Sequence, residues 1–302
     1  MSTFRIISFD GGGVKGALSA GILKRLCDNN KALLDKTDLF AGTSSGGLIS
    51  LGLAAGINGD EADNFFSFEN VKEVFSHRRF NLFHPRYKNE NLKKLVSSIS
   101  KNKTTIGDLD KYIFIPAFSL SGITSNHWQG VFFNNISHKY YNSEKILDVA
   151  LATSAAPTYF PSHNNFIDGG ILTNSPAIAA VITVMHKFPE YDINDFKVLS
   201  IGTGSVPKAI SDNTKNWGVI DWTFRPFSSV KLPLVSVLLN DTAPLENLYC
   251  KTLLHDNYFR INPKLPIDIE LDDYKKVTIL KNIAQKYDLT KANYFIQNVF
   301  LK

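Results

Sequence analysis

The stretch Phe4-Arg5-Ile6-Ile7-Ser8-Phe9-Asp10-Gly11-Gly12-Gly13-Val14-Lys15-Gly16 decides how the chain is read. Phe4 to Phe9 is a short apolar run that stops abruptly at Asp10, as a buried strand does on entering a glycine loop. Beyond the loop, from Ala17 to Cys27, Leu18, Gly21, Ile22 and Leu26 recur at helical spacing. Strand, glycine turn and helix form the first unit, and the unit repeats. Leu39-Phe40-Ala41 runs into Gly42-Thr43-Ser44-Ser45-Gly46-Gly47, after which Leu48 to Ala55 reads as an apolar helix.

Further along, the pattern predicts a helix over Asn91 to Ser100, a strand over Tyr112 to Phe118, the start of another at Gly130 to Phe133, and a helix over Ile146 to Ser154 closed by Pro157. Phe166-Ile167 is a short strand entering Asp168-Gly169-Gly170. Pro176 to Met185 reads as a helix, and Lys197 to Ile201 as a buried strand ending at Gly202. This alternation predicts an α/β chain whose largely parallel sheet is covered on both faces. The 302 residues are expected to form a single domain, 1-302, with a motif-bearing core over about 1-205 and a helical, aromatic region over about 206-302 packed on it or capping it. Two segments lack a clean period. Phe65 to Phe83 is aromatic and basic (Phe65, Phe66, Phe68, Phe75, His77, Arg78, Arg79, Phe80, Phe83) and suits a cap. Trp217, Trp222, Phe224, Phe227 and Leu232 to Leu239 suit either a helical layer on the sheet or a surface at lipid headgroup level.

A hydrophobic fraction of 44% and a charged fraction of 20% are those of a globular protein. The net charge of +5 would favour an anionic surface, although solvated lysines such as Lys93, Lys94, Lys101 and Lys103 account for it equally well. Cys27 and Cys250 form no disulfide framework, redox pair or zinc site, which fits a reducing compartment. Met1 to Phe9 lacks the basic start and long apolar core of a signal peptide, and no apolar run reaches a membrane-spanning length. A cytoplasmic location with peripheral membrane contact is expected, and export by another route as an effector is left open. No carboxylate cluster of calcium-binding type is present, so calcium is not expected to be needed, and no other metal and no cofactor is expected.

Gly42-x-Ser44-x-Gly46 fits a nucleophile elbow, in which a serine sits on a strained strand-to-helix turn between glycines whose missing side chains prevent a clash. The helix start behind Ser44 would direct N–H groups and a positive dipole end at a developing oxyanion. Asp10 to Gly16 has two readings. Gly11, Gly12 and Gly13 at a helix start suit an oxyanion hole, but Gly11, Gly13 and Gly16 also satisfy the G-x-G-x-x-G of a dinucleotide site. That site wants an acidic residue at the end of the second strand, and this strand ends in Ala41-Gly42, with Asp35 and Asp38 before it. The phosphate-loop pattern fails because Lys15 is followed by Gly16. None of the seven histidines (His77, His84, His127, His138, His163, His186, His255) stands in a persuasive setting for a triad, His163 being the least implausible.

Four blocks then carry a resemblance: Asp10 to Gly16, Gly42 to Gly47, Ser154-Ala155-Ala156-Pro157-Thr158-Tyr159-Phe160-Pro161, and Asp168-Gly169-Gly170, in this order. Together they resemble the patatin-like phospholipase family. Leu199 to Gly204 and Tyr258 to Pro263 are similar to segments of bacterial members. The resemblance implies a three-layer α/β/α fold and a catalytic dyad in which Ser44 attacks an ester carbonyl and Asp168, without histidine, accepts or organises the hydroxyl proton. It implies an oxyanion hole from Gly11, Gly12 and Gly13. Asp10 is expected to organise the loop by accepting backbone hydrogen bonds. Lys15 stands where many members carry Arg and is expected to tether the loop electrostatically. The expected function is acyl hydrolysis of phospholipid or lysophospholipid esters through an acyl-serine, with nucleic acid excluded as substrate and an unidentified protein or nucleotide activator left open. Acyl transfer by the same nucleophile and a dinucleotide-binding module are the competing functions.

Overall fold

β1 (Phe4–Phe9) is the centre of the molecule, with Ile6, Ile7 and Phe9 fully buried. In the computed structural model, which describes residues 3–302 except 80–82, 123–125, 137–140, 208, 211, 226–227, 229 and 241–242 and the side chains of 239–240, it pairs in parallel on both edges. The expected roles of Phe80, Phe227, His138 and the Leu239 side chain lie outside the described residues. β2 (Leu39–Gly42), β3 (Tyr112–Ser119), β4 (Gln129–Asn134), β5 (Phe166–Asp168), β6 (Phe196–Ile201) and β7 (Tyr258–Ile261) complete a seven-stranded sheet of order β4-β3-β2-β1-β6-β7, with β5 on β3. The β1–β2, β2–β3, β1–β6 and β6–β7 pairs are parallel, and β4 and β5 run antiparallel to β3. Because the chain moves from β1 to one side through β2 and β3 and reaches the other through β6, the loops after β1 and β6 diverge and leave a crevice at the carboxyl ends of the strands.

Two buried clusters, one per face, give the three layers. One gathers the helices Gly16–Asn29, Ser45–Ala54 and Val277–Lys286, and the other gathers Ala177–Lys187 with Cys250 and Leu254. All ten residues of Ser45–Ala54 are buried, which accounts for a helix with no polar face. The C-terminal region contributes β7 to the sheet, and its end is tied back to the start of the chain: Arg5 Nε donates to the Phe300 carbonyl at 2.6 Å.

The aromatic segment after residue 65 departs from the expected cap. Phe65, Val71 and Val74 on the helices Gly59–Phe65 and Phe68–Phe75, and Phe66 between them, are buried, whereas Phe83 is 92% exposed. Two short helices with separate caps break the hydrophobic period, which is why no single pattern was visible: Asn58 accepts from the Glu61 N–H and Ser67 from the Asn70 N–H. Among the described residues no helix is long and apolar enough to cross a membrane.

Candidate active site

β2 and β5 meet end to end. β3 gives Tyr112 to Phe114 to β2, and Ala117 to Ser119 to β5. Since β4 occupies the other edge of β3, β2 and β5 share one edge and approach each other from opposite directions. The interruption falls at Ile115 and Pro116, and the proline, having no N–H, leaves no ladder donor there. Ser44 follows the end of β2, Asp168 closes β5, and Ser44 Oγ donates to Asp168 Oδ2 at 2.7 Å.

The elbow is held by backbone that only its own residue types allow. Ser44 has φ 52° and ψ −122°, a strained conformation for a residue with a side chain, and it caps the helix Ser45–Ala54. A Cβ on Gly42 would lie 2.2 Å from the Gly46 carbonyl oxygen, and one on Gly46 would lie 2.4 Å from that of Phe9. Thr153, at the end of the helix Ile146–Thr153, completes the turn: its hydroxyl accepts the Ser44 N–H at 3.0 Å and donates to the Pro116 carbonyl at 2.6 Å.

Asp168 is 2% exposed, and burial pushes its carboxyl up to about 6, while the Gly170 N–H, donated to Oδ1 at 2.7 Å, and the Ser44 hydroxyl pull it back. The bond from Gly170 fixes the carboxylate so that Oδ2 faces Ser44. His163, the least implausible of the seven histidines, instead pairs with Asp148 at 2.7 Å.

The glycine loop differs in part from its reading. Gly11 is beside Ser44, since a Cβ on it would lie 3.4 Å from Ser44 Cβ, but its N–H is donated to the Asn174 carbonyl at 3.0 Å and so is committed elsewhere. Among the described residues no acceptor takes the N–H of Gly12 or Gly13, and Gly13 shares a cavity wall with Ser44. Gly13 has φ +58° and lies against the Leu271 carbonyl, so a side chain is excluded there. Gly16 starts its helix against the Phe66 ring.

Asp10 is corrected. It holds the loop through Arg260, not through backbone donors: the guanidinium meets its two oxygens at 3.0 and 2.5 Å and also donates to Ser200 Oγ at 2.7 Å. The sheet register explains this. Ser8, Ser200 and Arg260 are partners across β1, β6 and β7, and Asp10, two residues beyond Ser8, falls on the same face. Fully buried Ser8 and Ser200 leave room for the guanidinium. Glu246, which the sequence reading missed, accepts from the Ser175 N–H at 2.7 Å and from the Thr173 hydroxyl. Burial pushes its carboxyl up to about 7, those two bonds and Arg260 opposing and Asp10 adding to the shift.

Two cavities flank the loop. The one that opens on Ser44 is narrow and apolar, walled by Leu48, Phe66, Val74, Phe75, Leu92 and Phe160. The other, about 680 Å³, is more polar and lies by Asp10, Gly11, Lys15, Asn174, Arg260 and Lys264. Lys15 is buried on that second side and does not line the cavity of Ser44.

A family model described as patatin-like phospholipase matches residues 7–181, which hold the glycine loop, the elbow and Asp168. The chain belongs to the patatin-like phospholipase family. Its relatives in that family include Protein teg of Priestia megaterium, 31% identical over 317 residues that cover 98% of this chain and 99% of that protein. A cGAMP-activated phospholipase of Escherichia coli is 28% identical, with 99% and 91% covered. Patatin-like protein 2 of Arabidopsis thaliana is 28% identical, with 85% and 74% covered. Membership in the patatin-like phospholipases makes the chain a hydrolase of lipid metabolism with the mixed α/β fold described above.

Proposed function

We propose that the chain hydrolyses carboxylic esters of phospholipids or lysophospholipids through an acyl-Ser44 intermediate, with Asp168 as the base. The observation that carries this reading is the 2.7 Å bond from Ser44 Oγ to a buried carboxylate at the mouth of an apolar cavity. Asp168 Oδ2 takes the hydroxyl proton as Oγ attacks the carbonyl carbon. The oxyanion is held by the N–H groups of Gly12 and Gly13 and the start of the helix behind Ser44. Protonated Asp168 returns its proton to the leaving lipid alcohol, then deprotonates a water that attacks the acyl-enzyme and releases the fatty acid. Burial favours this cycle, because a carboxyl titrating at about 6 is a stronger base than an ordinary aspartate and is still ionised at neutral pH. The acyl chain occupies the apolar cavity, whose wall the helices Gly59–Phe65 and Phe68–Phe75 supply.

We take residues 1-302 as one unit, since β7 extends the sheet and the buried cluster around β1 includes Phe300. Peripheral contact with the lipid surface is assigned to the exposed Val219, Ile220, Leu234, Val237 and Leu238. The test is hydrolysis of a phospholipid and lysophospholipid panel, with products identified by mass spectrometry, wild type beside Ser44→Ala. Free fatty acid from wild type alone is expected. Equal release by purified Ser44→Ala would refute the assignment, and transesterified product dominating in the presence of a competing alcohol would make the chain a transferase. Because the Escherichia coli relative is named for activation by cGAMP, that nucleotide is one arm of the assay.

A further inference from the structure

The helix Ala243–Leu254 turns an unusual face inward. Glu246, Cys250 and Leu254, each four residues from the next, are its buried stripe, whereas Leu245, Leu248 and Leu253 point outward and are about half exposed. A buried carboxylate opposes folding unless its oxygens are satisfied. Both oxygens of Glu246 are satisfied by one short loop: the Thr173 hydroxyl donates to Oε1 and the Ser175 N–H to Oε2 at 2.7 Å.

That loop touches the candidate site twice. Asn174, between the two donors, accepts the Gly11 N–H on its carbonyl at 3.0 Å, and its side-chain amide donates to the Gly11 carbonyl at 3.4 Å. The Thr173 carbonyl accepts the hydroxyl of Thr43, the residue before Ser44, at 2.8 Å. Ser175 also meets the Arg260 guanidinium that holds Asp10. One carboxylate therefore fixes three consecutive residues that brace the glycine loop at Gly11 and the elbow at Thr43.

We propose that Glu246 is a positioning residue, which holds Thr173-Asn174-Ser175 so that Gly11, and with it the N–H groups of Gly12 and Gly13, stays aligned with Ser44. The inference rests on Ser44 being the nucleophile and adds a group that touches neither the serine nor the substrate. A glutamine at 246 offers an oxygen to the Ser175 N–H and an amide N–H to the Thr173 hydroxyl, so it keeps both links without the charge. An alanine keeps neither.

The test uses the full chain as wild type, Glu246→Ala, Glu246→Gln and Thr173→Val, the last keeping the side-chain shape and removing one bond. The first measurement is covalent labelling by a fluorophosphonate, which forms an Oγ–P bond at Ser44 with loss of fluoride, resolved into a limiting rate and a half-saturating concentration. The second is amide hydrogen exchange over residues 9–16. Glu246→Ala should lower the limiting rate by about tenfold to a hundredfold at an unchanged half-saturating concentration, while Glu246→Gln stays within about threefold. Exchange over 9–16 should quicken in the alanine variant and not in the glutamine variant. A wild-type limiting rate in folded Glu246→Ala, or equal losses in the alanine and glutamine variants, would overturn the proposal. If the alanine variant does not fold, Thr173→Val decides: a slowed limiting rate supports the proposal and a wild-type rate overturns it. If wild-type Ser44 does not label at all, the hydrolase reading fails by itself. Exchange then decides the link: quickening in Glu246→Ala supports it and no change overturns it.

Discussion

Asp168→Asn replaces the buried carboxylate by a group of the same shape that cannot carry its charge. The amide oxygen can still accept the Gly170 N–H, and the amide N–H can face Ser44 Oγ in place of Oδ2. Two effects of opposite sign follow. Turnover should fall about a thousandfold, since the proposed base is gone while the proposed oxyanion donors stay. Stability should rise, because the folded protein holds this carboxyl at about 6 and the unfolded chain near 4, so ionisation at neutral pH penalises the folded state.

The magnitude follows from linkage. Below pH 4 the carboxyl is protonated in both states and wild type bears no ionisation penalty. Between about 4 and 6 the unfolded chain has lost its proton and the folded protein keeps it, so wild-type stability declines as pH rises. Above 6 the penalty levels off at about 3 kcal/mol, equivalent to about 5 °C in Tm for a chain of this length. Asp168→Asn should therefore be the more stable protein at pH 8 by about that amount, with most of the difference gone at pH 4.5. Denaturant unfolding of both proteins at the two pH values measures it. A difference independent of pH, or a variant less stable at pH 8, would refute the buried-charge argument. Wild-type turnover by the variant would refute the role of Asp168 as base. In wild type the same ionisation predicts that the limiting turnover rate declines as pH is lowered through about 6.

Arg260→Met leaves Asp10 buried without its counter-ion and should cost about 3–5 kcal/mol in denaturant unfolding, most of it recovered by adding Asp10→Asn. Gly46→Ala drives a methyl group to 2.4 Å from the Phe9 carbonyl oxygen, so the unfolding midpoint should drop by an amount equal to at least about 2 kcal/mol, and fluorophosphonate labelling of Ser44 should slow with it. Phe75→Ala enlarges the apolar cavity that Phe75 lines, and in an ester series the ratio of long-chain to medium-chain turnover should rise by about tenfold; an unchanged ratio would place the acyl chain elsewhere.

What could be read in the sequence was local. Ser44 needs an unusual φ, and Gly42 and Gly46 are needed where backbone passes within van der Waals contact, so the elbow marks itself in five residues. The strands and helices around it were legible from their hydrophobic pattern, within a residue or two of their observed ends, except that the helix read from Leu48 begins at Ser45. The electrostatics of the site were not. Gly11 looks like an oxyanion donor until Asn174, 163 residues away, takes its N–H, and Asp10 looks like a loop acceptor until Arg260, 250 residues away, takes its carboxylate. Asn, Thr, Glu and Arg at those positions have no periodic or turn requirement to announce them. Asp168 lies between these cases. The Asp-Gly-Gly turn was visible, but what brings the carboxylate to Ser44 is that β5 shares an edge of β3 with β2 and runs against it, leaving the space of two residues in which the two side chains meet. That same head-on arrangement buries the carboxylate, so the topology that supplies Ser44 with a partner also raises the proton affinity of Asp168, as its proposed role as base requires.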